Sequence, residues 1–278
     1  MASRGAVGDG SFGRMAAIAA MVSLPLAAGN LLTMLAAVHF DLSALSDPLV
    51  LLHQGATAAR LWHWAMVLDI LGYYLLIVPV ILLLRSWLRA KSPNWIDLAA
   101  LCLLAYCGIG AIGGAILATA IPPLIRGYAT AGPQRVVVET VFSGYADAVY
   151  RGMWNLLEEF LAGVGWLAMG VVLRSEDRRL GRATTMLGLA CLVDALGTAA
   201  NVDAVATTGL GVYLVLAPIW AWWVGTRLLR TGSPFATSDL GRVVGGDTGQ
   251  GQAATDVGAP IGTAEVNRSS RQNPLGRS

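Results

Sequence analysis

The sequence predicts an all-α, polytopic membrane protein: a bundle of six transmembrane helices with both termini in the cytoplasm. Three observations carry that reading. Only 13% of the residues are charged and 55% are apolar, where a soluble domain carries roughly 25% charged residues. The charges are segregated, leaving apolar runs of about 18 residues or more, the length of a membrane-crossing helix. The basic residues cluster at alternate connections, as the positive-inside rule requires. This composition excludes a soluble enzyme, a disulfide-stapled secreted module and a disordered regulator, and it predicts a lipid bilayer rather than a nucleic acid as the partner.

The spans follow from the apolar runs. They are residues 15–40, 62–84, 96–121, 152–173, 183–200 and 207–224. Each is near the ~20 residues that cross a ~30 Å hydrocarbon layer at 1.5 Å per residue. The first is too long for the 7–15-residue core of a signal peptide and is expected to stay as a helix. The fifth is the weakest, being short and interrupted by Asp194. Arg4 and Arg14 precede the first span, and Arg85, Arg89 and Lys91 separate the second from the third. Arg174, Arg178, Arg179 and Arg182 separate the fourth from the fifth, and Arg227 and Arg230 follow the sixth. The opposite side holds only Arg60, Arg126, Arg135 and Arg151 over two longer loops. The expected organisation is therefore a cytoplasmic segment over residues 1–14, a membrane domain over 15–230 and a Gly-, Ser- and Thr-rich cytoplasmic tail over 231–278. That tail has too few large apolar side chains to offset the entropy of ordering it.

Trp62, Trp64, Trp220, Trp222 and Trp223 sit near span ends, where interfacial aromatic residues are expected. Gly110 and Gly114 give span three a small-xxx-small face for close helix approach, either within the chain or with a second copy. The outer loop from Pro122 to Tyr150 contains an amphipathic stretch, residues 134–150, expected as a short interfacial helix. Cys102, Cys107 and Cys191 lie unpaired in apolar runs and read as buried hydrophobes. No metal or cofactor motif is present.

Ionisable groups within a membrane are costly and mark function by default. The spans hold four away from their ends: Asp69, Glu158, Glu159 and Asp194. On straight helices Asp69 and the two glutamates lie about 10 Å below the outer boundary, with Asn30 and Asp194 at comparable depth. Helical spacing groups Asp69 with Tyr73, Arg151 with Asn155, Glu158 and Glu159, and Asp194 with Thr198 and Asn201. Three polar stripes facing one another would line a cavity open to the exterior. A small amphipathic or lipophilic molecule would bind there, contacting Asn30, Tyr73, Trp154, Asn155, Glu159 and Asn201. Two alternatives share the acids Glu158, Asp69 and Asp194. One is a proton-coupled transporter. The other is an intramembrane enzyme on a lipophilic substrate, resembling a membrane terpene cyclase, with Glu158 as proton donor because adjacent residues project about 100° apart and only one glutamate can face inward. Structural hydrogen bonding between helices is the remaining explanation for these side chains.

The run Arg14 to Ala20, the stretch Asp69 to Leu76 leading into Leu83, Leu84 and Arg85, the segment Gly165 to Leu173, and the pair Arg182 to Ala190 and Asp194 to Gly197 together resemble a bacterial polytopic membrane family known as domain of unknown function 4386. The resemblance covers roughly residues 14–200. It implies a helical membrane protein of the plasma membrane and supplies no reaction.

Overall fold

The computed structural model describes residues 6–41 and 48–231, all within one compact unit. Residues 232–278 of the tail and Arg4 lie outside the described residues. Six helices are long and apolar enough to cross a membrane. They are α1 (Gly10–Ala37), α2 (Leu49–Leu88), α3 (Pro93–Tyr128), α4 (Gly132–Glu176), α5 (Arg178–Ala199) and α6 (Asp203–Arg230). Each packs on the next along the chain, and α6 returns to pack on α1, so the six close into a ring.

Several boundaries differ from the sequence reading. α1 reaches back to Gly10, into the segment assigned to residues 1–14, and stops at Ala37 rather than Phe40. His39 and Phe40 adopt left-handed backbone there and turn the chain. α2 starts thirteen residues before Trp62, taking up most of the expected outer loop. The interfacial helix expected at 134–150 is not separate, because helix runs without a break from Gly132 to Glu176. Phe142, Ala146 and Val149 bury one face of that extension against Leu51, Leu52 and Tyr128.

The largest miss is at Pro122 and Pro123, expected to open a loop. α3 continues through both prolines to Tyr128. A proline lacks the N–H that would bond the carbonyl four residues earlier, which frees Ala118, and His63 donates from Nδ1 to that oxygen at 3.0 Å. The same repair recurs at Pro218 in α6, where the freed Leu214 carbonyl accepts from the Tyr73 hydroxyl at 3.2 Å. Membrane helices tolerate proline on this condition.

α4 and α5 form the tightest interface. A Cβ at Gly163 would strike Leu192 and Gly188, and one at Gly170 would strike Thr185. Two glycines one heptad apart on α4 thus let the backbones approach. α5, the weakest span by hydropathy, is the most enclosed of the six. The indoles also sort differently from expectation. Trp64 and Trp222 are exposed as belt residues should be, whereas Trp62 and Trp220 are buried. Trp223 is partly covered by Arg227, whose guanidinium carbon lies 4.7 Å from the ring centroid.

Charge is concentrated and paired at the end of the bundle that holds the α2–α3 and α4–α5 turns, its short-turn end. Arg85 and Arg89 both bond Asp97, at 2.8 and 3.1 Å, and Lys91 meets Glu176 at 3.0 Å. Asp177 caps α5 by accepting from the amides of Arg179 and Leu180, each at 2.9 Å, and also receives Arg227 of α6. Burial pushes the Asp177 carboxyl up, but those amides and the guanidinium outweigh it and hold it below the usual carboxylate range.

Candidate functional site

The four acids singled out by the sequence converge inside the ring. Asp69, Glu158, Glu159 and Asp194 are 8%, 2%, 2% and 0% exposed. No lysine, arginine or histidine is buried among the described residues. Each of the four carboxylates has one oxygen that is buried without a hydrogen-bond partner. Their other contacts come from uncharged donors: Tyr74 to Glu158, Cys191 to Glu159, and Thr198 to Asp194 at 3.3 Å. Glu158 lies within electrostatic reach of Glu159, Asp69 and Asp194. Asp69 faces the glycine stripe of α3, its Oδ2 lying 3.7 Å from where a Cβ on Gly114 would stand.

One expectation about the glutamates is corrected. Both point inward, not one. Adjacent side chains do diverge, but α4 is flanked by neighbours on both sides: Glu158 turns toward Tyr74 of α2 and Glu159 toward Cys191 of α5.

Backbone irregularity coincides with the acids. α2 switches to π-helix over Ile70–Tyr74 immediately after Asp69, then to a 3₁₀ turn over Leu75–Ile77. α4 is π-helical over Asp147–Glu158 and becomes α-helix at Glu159. Such wide turns leave carbonyls without their usual intrahelical partner and occur disproportionately at functional sites. Two side chains from other helices reach this stretch: Ser23 donates to Gly72 at 2.6 Å and Tyr106 to Tyr73 at 3.0 Å. The phase argument that grouped Arg151, Asn155 and Glu158 assumed α-helical turns and fails here. Arg151 is exposed and Asn155 half-buried, while Glu158 is fully enclosed.

The expected ligand contacts divide. Asn30 is buried but committed, donating to the Ala65 carbonyl at 2.8 Å. Tyr73 is committed to Leu214. Trp154 packs against Gly113 and donates to Gly110 at 3.3 Å. Asn201 lies outside the cluster, in a left-handed turn beyond α5, and accepts from Arg151 at 3.0 Å. No ion pair joins Arg151 to Asp147 among the described residues. Gly110, Gly113 and Gly114 are filled by Tyr74, Trp154 and Ile70, so that face packs within the chain.

Sequence reasoning missed the aromatic plug beneath the acids. Tyr106 and Tyr213 share a hydroxyl–hydroxyl hydrogen bond, and the Tyr74 ring lies tilted against Tyr106 with centroids 5.4 Å apart. Trp166 meets Trp220 edge-on at 4.8 Å, and Trp220 donates to Thr184 at 2.9 Å. A polar aromatic in the middle of an apolar span was the available signal. Tyr73, Tyr106, Tyr213, Trp166 and Trp220 surround a cavity of about 10 Å³, the size of roughly one water molecule. No group of three potential metal ligands occurs among the described residues.

Comparison with family models, curated proteins and solved structures finds no match. The residues themselves carry the functional argument.

Proposed function

We propose that this multi-pass membrane protein is a proton-coupled carrier of a small amphipathic or lipophilic molecule, working in the plasma membrane of a bacterium. Asp69, Glu158 and Asp194 carry the protons. One observation supports this reading above the others: four carboxylates from three helices meet in the interior, each with an unpartnered oxygen and, among the described residues, with no buried cation to neutralise them. An unpaired charge buried this way is costly enough that protonation becomes the cheaper state. Protons are thus the simplest partner for this cluster, and a carrier has a use for binding and releasing them.

The paired π-helical segments favour a working site over an inert core. π-Helical turns inside membrane helices occur disproportionately at functional sites, and here one starts directly after Asp69 and the other ends at Glu158. The cyclase alternative requires an acid beside a chamber that holds an isoprenoid. The aromatic rings are present, but the cavity among Tyr73, Tyr106, Tyr213, Trp166 and Trp220 is about 10 Å³ and none of the four acids lines it. A carrier needs no standing chamber, because its site opens to each side in turn.

The test uses the full chain in proteoliposomes with an imposed pH gradient and a panel of fluorescent amphipathic dyes. Gradient-driven dye uptake that disappears in Asp69→Asn and Glu158→Gln is the expected result. Uptake indifferent to the gradient and to both substitutions would sink the proposal.

A further inference from the structure

α1 carries a feature unrelated to the acids. Arg14, Met15, Ile18 and Val22 follow one face at helical spacing, and with Leu76 of α2 they line a groove of about 840 Å³ on the lipid-facing side. Met15, Ile18 and Val22 are 47%, 52% and 41% exposed, an apolar wall in a membrane-spanning helix. Nearer the middle of the bundle the two helices touch, because a Cβ at Gly72 would strike the Ala27 backbone. The groove opens between that contact and the short-turn end.

Its far end is electropositive. Arg14 is exposed and takes part in none of the described ion pairs, and among the described residues no acid lines the groove. α6 runs antiparallel beside α1, with Gly225 against Ala17 and Met21. That register sets Arg230 near the level of Arg14, and the ion-paired Arg85 belongs to the same end. From Arg14 to Val22 the face spans about 12 Å, close to the ~15 Å hydrocarbon depth of one leaflet. A fixed cation at headgroup level above an apolar trough one leaflet deep matches one kind of molecule.

We infer that this groove binds an anionic phospholipid of the leaflet at the short-turn end, with its phosphate on Arg14 and an acyl chain lying over Ile18 and Val22 against Leu76. The inference does not depend on the carrier reading, since none of the acids contributes to it.

The experiment incubates the purified full chain in micelles containing equal amounts of phosphatidylglycerol and phosphatidylcholine, then counts retained lipids by native mass spectrometry. Wild type retains phosphatidylglycerol preferentially. Arg14→Gln lowers that preference about fivefold, the effect of one basic side chain at a membrane surface. Ile18→Trp fills the trough and removes the retained lipid with the charge left intact. Arg182→Gln, an exposed arginine at the same end, leaves the preference unchanged. Equal retention of the two lipids by wild type overturns the inference. So does a preference that survives both groove variants, or one that falls as far in Arg182→Gln as in Arg14→Gln.

Discussion

The short-turn end of the bundle and its interior handle charge in opposite ways. At the short-turn end Asp97, Glu176 and Asp177 each face a basic side chain, and Asp177 also caps a helix. In the interior Asp69, Glu158, Glu159 and Asp194 keep one idle oxygen each, and the recorded donors to them are the hydroxyls of Tyr74 and Thr198 and the thiol of Cys191. The first arrangement has a structural account, since the charges join helix ends that would otherwise fray. The second does not, because well-packed apolar side chains would hold the same helices at lower cost. A costly group without a structural return is where function is sought.

The largest expected effect breaks the comparison most directly. Glu158→Gln and Asp69→Asn should reduce gradient-driven uptake to the level of empty vesicles. The same variants should melt at or above the wild-type temperature, because an amide is easier to bury than an unpartnered carboxylate. Thermal unfolding in detergent measures this. A marked loss of stability in both would mean that the interior acids hold the fold, erasing the distinction.

At the short-turn end the signs reverse. Asp177→Ala removes the cap of α5 and the partner of Arg227, and is expected to cost about 2–3 kcal/mol while leaving uptake per folded molecule intact. Asp177→Asn keeps a capping oxygen and should cost less. The pH dependence follows from the lowered folded-state value of this carboxyl. Its contribution to stability is present above the unfolded value of about 3.9 and is lost as pH falls through the lower folded value. Wild type should therefore lose stability below about pH 4 more steeply than Asp177→Asn, read as melting temperature against pH.

Tyr106→Phe probes the layer between the two regions. The hydroxyl donates to the Tyr73 carbonyl and also bonds Tyr213. Its removal should cost about 1 kcal/mol, with the ring packing retained.

Much of this molecule was legible from its amino acids. Periodicity and length located all six helices, and the cost of burying charge pointed to all four interior acids. What failed was local geometry decided by distant partners. Pro122 and Pro123 read as a loop because nothing in the local sequence says that His63 will satisfy Ala118. The stripe through Arg151 and Glu158 failed because π-helical turns change the angular step, and their stability depends on packing against α3 and α5. Tyr106 and Tyr213 are more than a hundred residues apart, and no spacing rule brings their hydroxyls together. Glu159 was expected to face inward less fully than Glu158 by a rule about one helix, when the deciding fact was that α4 has a neighbour on either side.

The smallest expected effect is also the finest discriminator. Asn30 lies at the depth of the acids and is as buried as they are, yet its side-chain amide is committed to the Ala65 carbonyl, one turn before Asp69. It belongs by geometry to the structural class and by position to the functional one. If the bond is only a link between α1 and α2, Asn30→Ala should cost about 0.6 kcal/mol, the average for such bonds between membrane helices. Uptake and its dependence on the pH gradient would then be unchanged. If uptake falls while the melting temperature barely moves, Asn30 acts on Asp69 through the backbone turn they share. The boundary between the two regions would then pass through α1 rather than beside it. Measuring both quantities on the one variant separates a residue that holds α2 in place from one that tunes its proton site.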